Sequence, residues 1–347
     1  MKEKIKSIIE SVGLPRIIIF FFLVLLFALA PLVGISLDTS INDVIVRFGM
    51  NGILVLSLVP MVKSGCGLNF GLQLGIITGL LGAVISIEME TIGFAGFFTA
   101  VGIAIFFAVV FGFLYGLLLN KVKGDEMVVA TYVGFSSVSF MCIMWLMLPF
   151  KSPNMIWPYG GVGLRTTISN QGYWFHILTD FLQINIGSHI VFPTGTILFF
   201  ALLAFLIWAF FRTKMGMAMT VVGSNTDYAK SCGVNVNKMR IISVILSTVI
   251  AAIGIIVYQE SFGFIQLYLA PLYMPFIAIA SLVVGGASVG KASIKNVIIG
   301  TFLFQGFLTM APSVINNIIK SDMSESIRII VSNGAILYAL TRITSLR

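Results

Sequence analysis

Charge is scarce in this sequence. Asp, Glu, Lys and Arg together make up 10% of its 347 residues, against 58% hydrophobic residues and a mean hydropathy of +1.05. That balance excludes a soluble domain. Histidine is scarcer still, with only His176 and His189, and the three cysteines, Cys66, Cys142 and Cys232, form no CxxC pair. These residues offer neither a metal-ligand cluster nor a disulfide framework. No apolar run carries the buried Asp, Glu or His relay of a proton-coupled carrier. No hydrolase nucleophile stands with a base and an orienting partner. These gaps weigh against a metal site, an ion-coupled secondary transporter and a membrane enzyme.

What is present is apolar sequence in long runs, the pattern of an all-α polytopic membrane protein whose backbone polar groups pair within helices. The length allows about ten spans of some 20 residues in one transmembrane domain over residues 1–347. The expected spans are Ile17–Ile35, Val44–Val62, Leu68–Ile87, Ile92–Leu119, Met127–Leu148, Val191–Phe211, Ile241–Tyr258, Leu272–Val284, Val297–Met310 and Ile327–Leu340. The fourth is long enough to be tilted or broken. Between spans five and six, an outer loop of about residues 150–190 holds Trp157, Pro158, Tyr159, Gly160, Gly161, Trp174 and both histidines. Ser261 to Tyr268 is too short to span and reads as re-entrant or interfacial. At the N-terminus, Lys2, Lys4 and Lys6 precede an apolar run with the secretory-signal ending Ala28-Leu29-Ala30. That run continues through Pro31-Leu32-Val33, however, and reads as a retained first span.

The formal charge of +8 is accounted for by the cytoplasmic bias of Lys and Arg rather than by nucleic acid. With both termini inside, sixteen of the 21 basic residues fall on the cytoplasmic side, among them Lys63, Lys121, Lys123, Arg212, Lys214, Lys230, Lys238, Arg240, Lys291 and Lys295. Lys151, Arg165, Lys320 and Arg328 fall outside with the acidic Asp38, Glu88, Glu90 and Glu260, and Arg47 sits near the start of span two. An odd number of spans would invert half of these loops.

Three stretches interrupt the apolar pattern. From about residue 212 to 240 the chain turns polar and basic. There Ser224-Asn225-Thr226-Asp227 fits a capping box with Ser224 at the cap, and Gly233 is placed to stop a helix of about two turns. Ser64 to Gln73 packs glycines and amides into apolar sequence, which predicts a discontinuous helix lining a cavity. Asn69 and Gln73, four apart on one helical face, could bond a polar, uncharged solute there, or could bond neighbouring helices in a glycine-packed interface. Asn51, Thr131 and Gln305, polar in other spans, are further candidates for a path, and Thr99 is of the same kind. Finally, Gly285 to Ala292 nearly matches G-x-x-x-x-G-K, but Ala292 replaces the Mg²⁺-binding hydroxyl and both flanks are membrane helix. The chain itself hydrolyses no ATP.

Arg212-Thr213-Lys214-Met215-Gly216, then Val222-Gly223-Ser224-Asn225, Ala229 and Gly233-Val234-Asn235, resemble the cytoplasmic signature of one permease family. Gly285-Gly286 with Gly290 resembles its G-G-x-x-x-G segment. This family comprises the membrane subunits of bacterial ABC importers for monosaccharides, nucleosides and branched-chain amino acids. The resemblance implies a coupling helix that docks on a separate ATPase subunit, with Gly223, Ser224, Asn225, Asp227, Ala229 and Gly233 as its residues. Tyr228 stands where the family often has an alanine. It also implies a second permease subunit, identical or homologous, an extracytoplasmic solute-binding protein, and the bacterial inner membrane as location. ATP and Mg²⁺ would be bound by the partner, with no cofactor on this chain. Asn69-Phe70-Gly71, and Glu126 with Thr131, resemble nucleoside-type more than sugar-type members. The expected solute is therefore small, neutral and polar, a nucleoside or monosaccharide. The readings set against this one are an ion-coupled secondary transporter and a membrane scaffold. A relay of buried acids would mark the first, and the second has no use for a capped cytoplasmic helix.

Overall fold

In a computed structural model of the chain, the described residues are 14–319 apart from 157–162, 187–189 and 289, together with 326, 330 and 334. All of the expected tenth span but residues 330 and 334, Lys2, Lys4 and Lys6, Trp157 to Gly161 of the outer loop, and His189 lie outside them.

The described residues are mostly helix, in the order α1 (Leu14–Leu29), α2 (Leu37–Leu56), α3 (Val59–Lys63), α4 (Gln73–Glu88), α5 (Gly93–Lys121) and α6 (Glu126–Met147). Three short strands follow, β1 (Thr167–Ser169), β2 (Ile184–Ile186) and β3 (Ile190–Phe192). Then come α7 (Thr194–Phe210), α8 (Lys214–Ser224), α9 (Thr226–Ser231), α10 (Val236–Phe262), β4 (Phe264–Gln266), α11 (Leu269–Val284) and α12 (Ile294–Ile319).

Five helical stretches are long and apolar enough to cross a membrane: Leu37–Lys63, Gly93–Lys121, Glu126–Met147, Val236–Phe262 and Ile294–Ile318. The bent pair α7 and α8 makes a sixth if taken as one, and α1, α4 and α11 are shorter apolar helices. The chain is thus a multi-pass membrane protein, although not all of the ten expected spans are full-length helices. Span three was expected to start at Leu68, but its helix starts only at Gln73. At 1.5 Å per residue α4 covers roughly 24 Å, short of a 30 Å hydrocarbon core. It tolerates this because most of its surface is buried, with only Leu74, Leu81, Ile85 and Glu88 partly exposed. An added side chain at Gly79 would fall on Ile255 and Ala252 of α10, and one at Gly82 on Ala100 and Ala104 of α5. These two glycines let three backbones meet, and α4 needs no lipid-facing length. Span four is one unbroken helix of 29 residues, about 43 Å long, so the excess over the bilayer is taken up by tilt.

The core is the α10 column with α2, α4 and α5 around it. Ile53, Ile76, Leu80, Ala251 and Ile255 are all fully buried. Outward faces of α5, α6 and α7 are apolar, with Phe106, Phe140 and Phe205 each more than half exposed, as a lipid-facing surface requires.

Two boundaries differ from expectation with consequences for the site. Helix α2 begins at Leu37 instead of Val44, so Asp43 lies inside the helix and not in the loop before it, one turn ahead of Arg47. Helix α10 continues to Phe262, where Gly263 at φ +83° ends it, and the segment expected to be re-entrant forms β4. Strand β4 pairs antiparallel with β1, Ile168 opposite Ile265, which ties the loop after α6 to the end of α10. Glu260, expected in an exposed outer position, is fully buried there. Its carboxylate accepts the backbone N–H groups of Leu178 (2.9 Å) and Thr179 (3.0 Å) and the hydroxyl of Ser261 (2.9 Å). A buried carboxylate therefore does occur in a span, but three neighbouring groups hold it as an anchor and, among the described residues, none of its partners is a second acid.

Candidate functional site

Two regions at opposite ends of α10 carry the candidate residues. From Arg240 to Glu260 that helix rises roughly 30 Å.

At its start, helix α8 leaves α7 at a bend of 78°. Thr213 caps α8, its hydroxyl accepting the Gly216 N–H, and a side chain at Gly216 would collide with the Phe210 carbonyl and Phe211. The next joint corrects the expected capping box. Ser224 is the last residue of α8, and its hydroxyl donates back to the Val221 carbonyl (3.0 Å). The cap of α9 is Asn225, extended at φ −154°, whose Oδ1 accepts from Asp227 N (3.1 Å) and Tyr228 N (2.9 Å). Asp227 pairs with Lys230 (2.9 Å) on an exposed face instead of closing a box. Its charge in the first turn also suits the helix dipole. Gly233 takes φ +76°, the left-handed exit its position suggested.

Each face of this pair has a distinct chemistry. Ala229, expected to leave room for a partner, is fully buried against Val222, Val236 and Met239, so its smallness serves inward packing. Ser224, Asp227, Tyr228 and Lys230 are exposed, Tyr228 by 60%, and Met217 adds an exposed apolar patch. Gly223 faces inward, where a side chain would strike the carbonyl of Lys63, and Gly65 (φ +76°) lies against the Gly223 backbone in return. The pair thus rests directly on the break that follows α3. Sequence reasoning placed both features but not their contact.

The break, residues 64–72, has glycines at φ +76° (Gly65) and +78° (Gly67). Its polar groups are turned into the protein. Asn69 is buried, donating to Ser247 Oγ and accepting from Gly71 N and the Tyr115 hydroxyl, all at 3.0 Å. Ser64 bonds Ser243 (2.7 Å), and Arg240, paired with Glu126, also donates to Cys66 Sγ (3.3 Å). Gln73 is fully buried against Gly134, with neither end of its amide bonded. The Thr131 hydroxyl bonds its own helix at the Met127 carbonyl (2.9 Å). None of Asn69, Gln73 and Thr131 reaches the cavity described next.

That cavity, of about 500 Å³, opens at the far end of α10 between α2, α10, α11 and α12. Asn51 and Gln305 both line it, brought together from sequence positions 254 apart. Asn51 donates to the Arg47 carbonyl (3.0 Å), and Gln305 is only 3% exposed with its amide nitrogen unpartnered among the described residues. Met50, Met274 and Leu308 supply apolar wall. Asp43 and Arg47 also line it and were missed as site residues, because the helix was expected to start after Asp43. Their spacing of four, on one face of a longer helix, is the signal that could have found them.

A match to the family described as branched-chain amino acid transport system / permease component runs over residues 40–339. The Autoinducer 2 import system permease protein LsrC of Yersinia pestis (strain Pestoides F) is 26% identical over 283 residues, covering 80% of this chain and 70% of that protein. LsrC of Escherichia coli (strain SMS-3-5 / SECEC) is 30% identical over 178 residues, 50% of each chain, and that of Shigella flexneri is 34% identical over 114 residues. The chain spans about half the length of the Escherichia coli relatives it matches. No solved structure matches. A family match that takes in the cavity, the break and the helix pair alike places this chain in the branched-chain amino acid transport permease family, among the permeases of ABC importers.

Proposed function

We propose that the chain is the permease subunit of an ATP-driven importer in a bacterial inner membrane, carrying a small neutral polar solute inward. The α8–α9 pair is the cytoplasmic coupling element, and the cavity at the other end of α10 is the outward-facing part of the solute path. A separate ATPase subunit binds ATP and Mg²⁺ and grips the exposed face of α9, a second permease subunit completes the path, and an extracytoplasmic binding protein delivers solute. Nucleosides and monosaccharides fit the neutral, amide-bearing depth of the cavity. Autoinducer 2, for which the relatives are named, is a third candidate. Alternating access follows if nucleotide-bound ATPase subunits prefer one of two permease states.

The observation that carries this reading is the construction of the helix pair. It is capped at each joint, apolar inward and polar outward, and its glycine end rests on a broken span, so a push on α9 is delivered to the membrane domain. The test is Tyr228→Arg, which alters the exposed face without touching the buried one. We expect normal membrane levels, loss of ATPase co-purification, and uptake of radiolabelled solute reduced about tenfold or more, the cost of an interface aromatic anchor. Retained ATPase and full uptake would show that the pair is not the docking surface.

A further inference from the structure

The joint between α1 and the hairpin that links α11 to α12 gathers cations without acids. Arg16 donates from Nη2 to the Gly285 carbonyl, and the Asn296 amide nitrogen donates to the same oxygen (2.7 Å). A side chain at Gly286 (φ +83°) would collide with the guanidinium, so Arg16 is seated on the two glycines and only partly exposed. Lys291 lies in the hairpin and Lys295 directly before Asn296, and both are exposed. No Asp or Glu occurs in α1, α11, the hairpin or α12, and none of the three cations forms an ion pair among the described residues. Around the helix pair, by contrast, Arg240 has Glu126 and Lys230 has Asp227. A carbonyl takes up part of a guanidinium's five donors and none of its charge. Three cations at one joint without an acid call for an anion from outside the chain.

What adjoins the cations identifies that anion. Helix α12 begins at the same end of the bundle as α10, because its later residues and the last residues of α10 line the cavity at the other end. From that beginning, Lys295 heads a stripe of Ile298, Ile299 and Phe302, all exposed and spaced along one helical face. Arg16 stands just ahead of a second exposed stripe, Ile18, Phe21, Phe22 and Leu25 of α1. The two helices pack together through Leu23, Leu26, Phe304 and Phe307, and the Phe22 and Phe307 rings meet at 5.5 Å. Charge at the head of a packed pair of lipid-facing helices matches a molecule with an anionic head and apolar chains. A soluble phosphate would use only the first of these features.

We propose that this joint binds the phosphate headgroup of an anionic phospholipid in the cytoplasmic leaflet. Arg16, fixed by Gly285, supplies a placed charge, the longer reach of Lys291 and Lys295 closes on the headgroup oxygens, and the acyl chains lie along α1 and α12. The site involves neither solute nor ATPase, and rests on the importer reading only in calling this end cytoplasmic.

The experiment titrates phosphatidylglycerol and phosphatidylcholine into the full chain in a neutral detergent and counts bound lipid by native mass spectrometry. Phosphatidylglycerol is expected to bind more tightly, and glycerol 3-phosphate at matched ionic strength is expected not to displace it. Each Lys or Arg beside an anionic headgroup is worth roughly a fivefold preference, so Lys291→Gln with Lys295→Gln should reduce that preference by roughly tenfold or more. Lys121→Gln with Lys123→Gln, a pair of cations after another span, should leave it in place. Arg16→Gln should also reduce it, and should that variant fail to fold, the lysine pair decides. Equal binding of the two lipids, or an undiminished preference in the Lys291 and Lys295 variant, would overturn the proposal. So would equal loss in the Lys121 and Lys123 variant, which marks a diffuse cationic surface, or displacement by glycerol 3-phosphate, which marks a site for free phosphate. None of these results bears on the Tyr228→Arg test of the importer reading.

Discussion

Asn69 and Asn51 are the same residue type, each a lone amide in apolar sequence, yet the fold gives them opposite surroundings. Asn69 is surrounded by its own chain, which supplies three partners at 3.0 Å from a loop, from α5 and from α10. Asn51 makes one bond, to the carbonyl a turn behind it, and otherwise faces a cavity of about 500 Å³. The difference lies in what stands opposite. Glycines around Asn69 let backbones close in until both ends of its amide are met from within. Around Asn51 the packed side chains, Arg47, Gln305 and Met274, hold the helices apart. An amide in a span therefore marks a path only where the helices opposite it do not close.

The sharpest way to test this contrast is through the two arginines, one in each region. Arg240 is 8% exposed and bonded to Glu126 and Cys66 beside the break, whereas Arg47 is exposed at the cavity mouth. Arg240→Met leaves the Glu126 carboxylate without its cation and should cost about 3–5 kcal/mol. Arg47→Met breaks no ion pair and should change stability by no more than about 0.5 kcal/mol. Thermal unfolding of the purified chain measures both. Equal losses would abolish the distinction between a structural knot and an open site.

A smaller effect is expected at Asn69 itself. Asn69→Leu takes a partner from the Ser247 and Tyr115 hydroxyls, which can rotate to other acceptors, and leaves the buried Gly71 N–H without one, so the loss should be that of one stranded donor, about 1–3 kcal/mol. Uptake per folded molecule should stay near wild type. This replaces the expectation, natural from the sequence, that Asn69 touches solute. Reduced uptake by a variant of undiminished stability would restore it.

The sequence made legible what is local. Gly65 and Gly67 announced the break, because two φ values near +77° suit glycine better than any residue with a side chain. The polar run after α7 announced the helix pair, and Gly233 its exit. What it hid depends on neighbours distant in the chain. Ser224 and Asn225 are both good caps, and the choice fell to Asn225 because Ser224 was already absorbed into α8, a helix not anticipated. Ala229 looked like a docking contact until Val222 and Met239 closed over it. Asp43 looked like a loop charge because the helix containing it starts seven residues earlier than hydropathy suggests. Glu260 looked exposed because its partners, Leu178 and Thr179, come from a loop eighty residues away.

The smallest effect on stability, and the one that completes the contrast, belongs to Asn51. Its amide donates to the Arg47 carbonyl, an oxygen already placed to accept within its own helix, so losing this bond strands nothing. Leucine is close in size and suits a helix, and its apolar end would join Met50 and Met274 on the cavity wall. Asn51→Leu should therefore shift stability by no more than about 0.5 kcal/mol. Function should respond in the other direction. One hydrogen bond to a passing solute is worth about 0.5–1.5 kcal/mol, so initial uptake below saturation should fall roughly two- to tenfold. The paired result, Asn69→Leu unstable but active and Asn51→Leu stable but slow, is one that neither a shared packing role nor a shared path role can produce. If Asn51→Leu instead loses stability and keeps its uptake rate, the cavity is a packing gap and the path runs elsewhere.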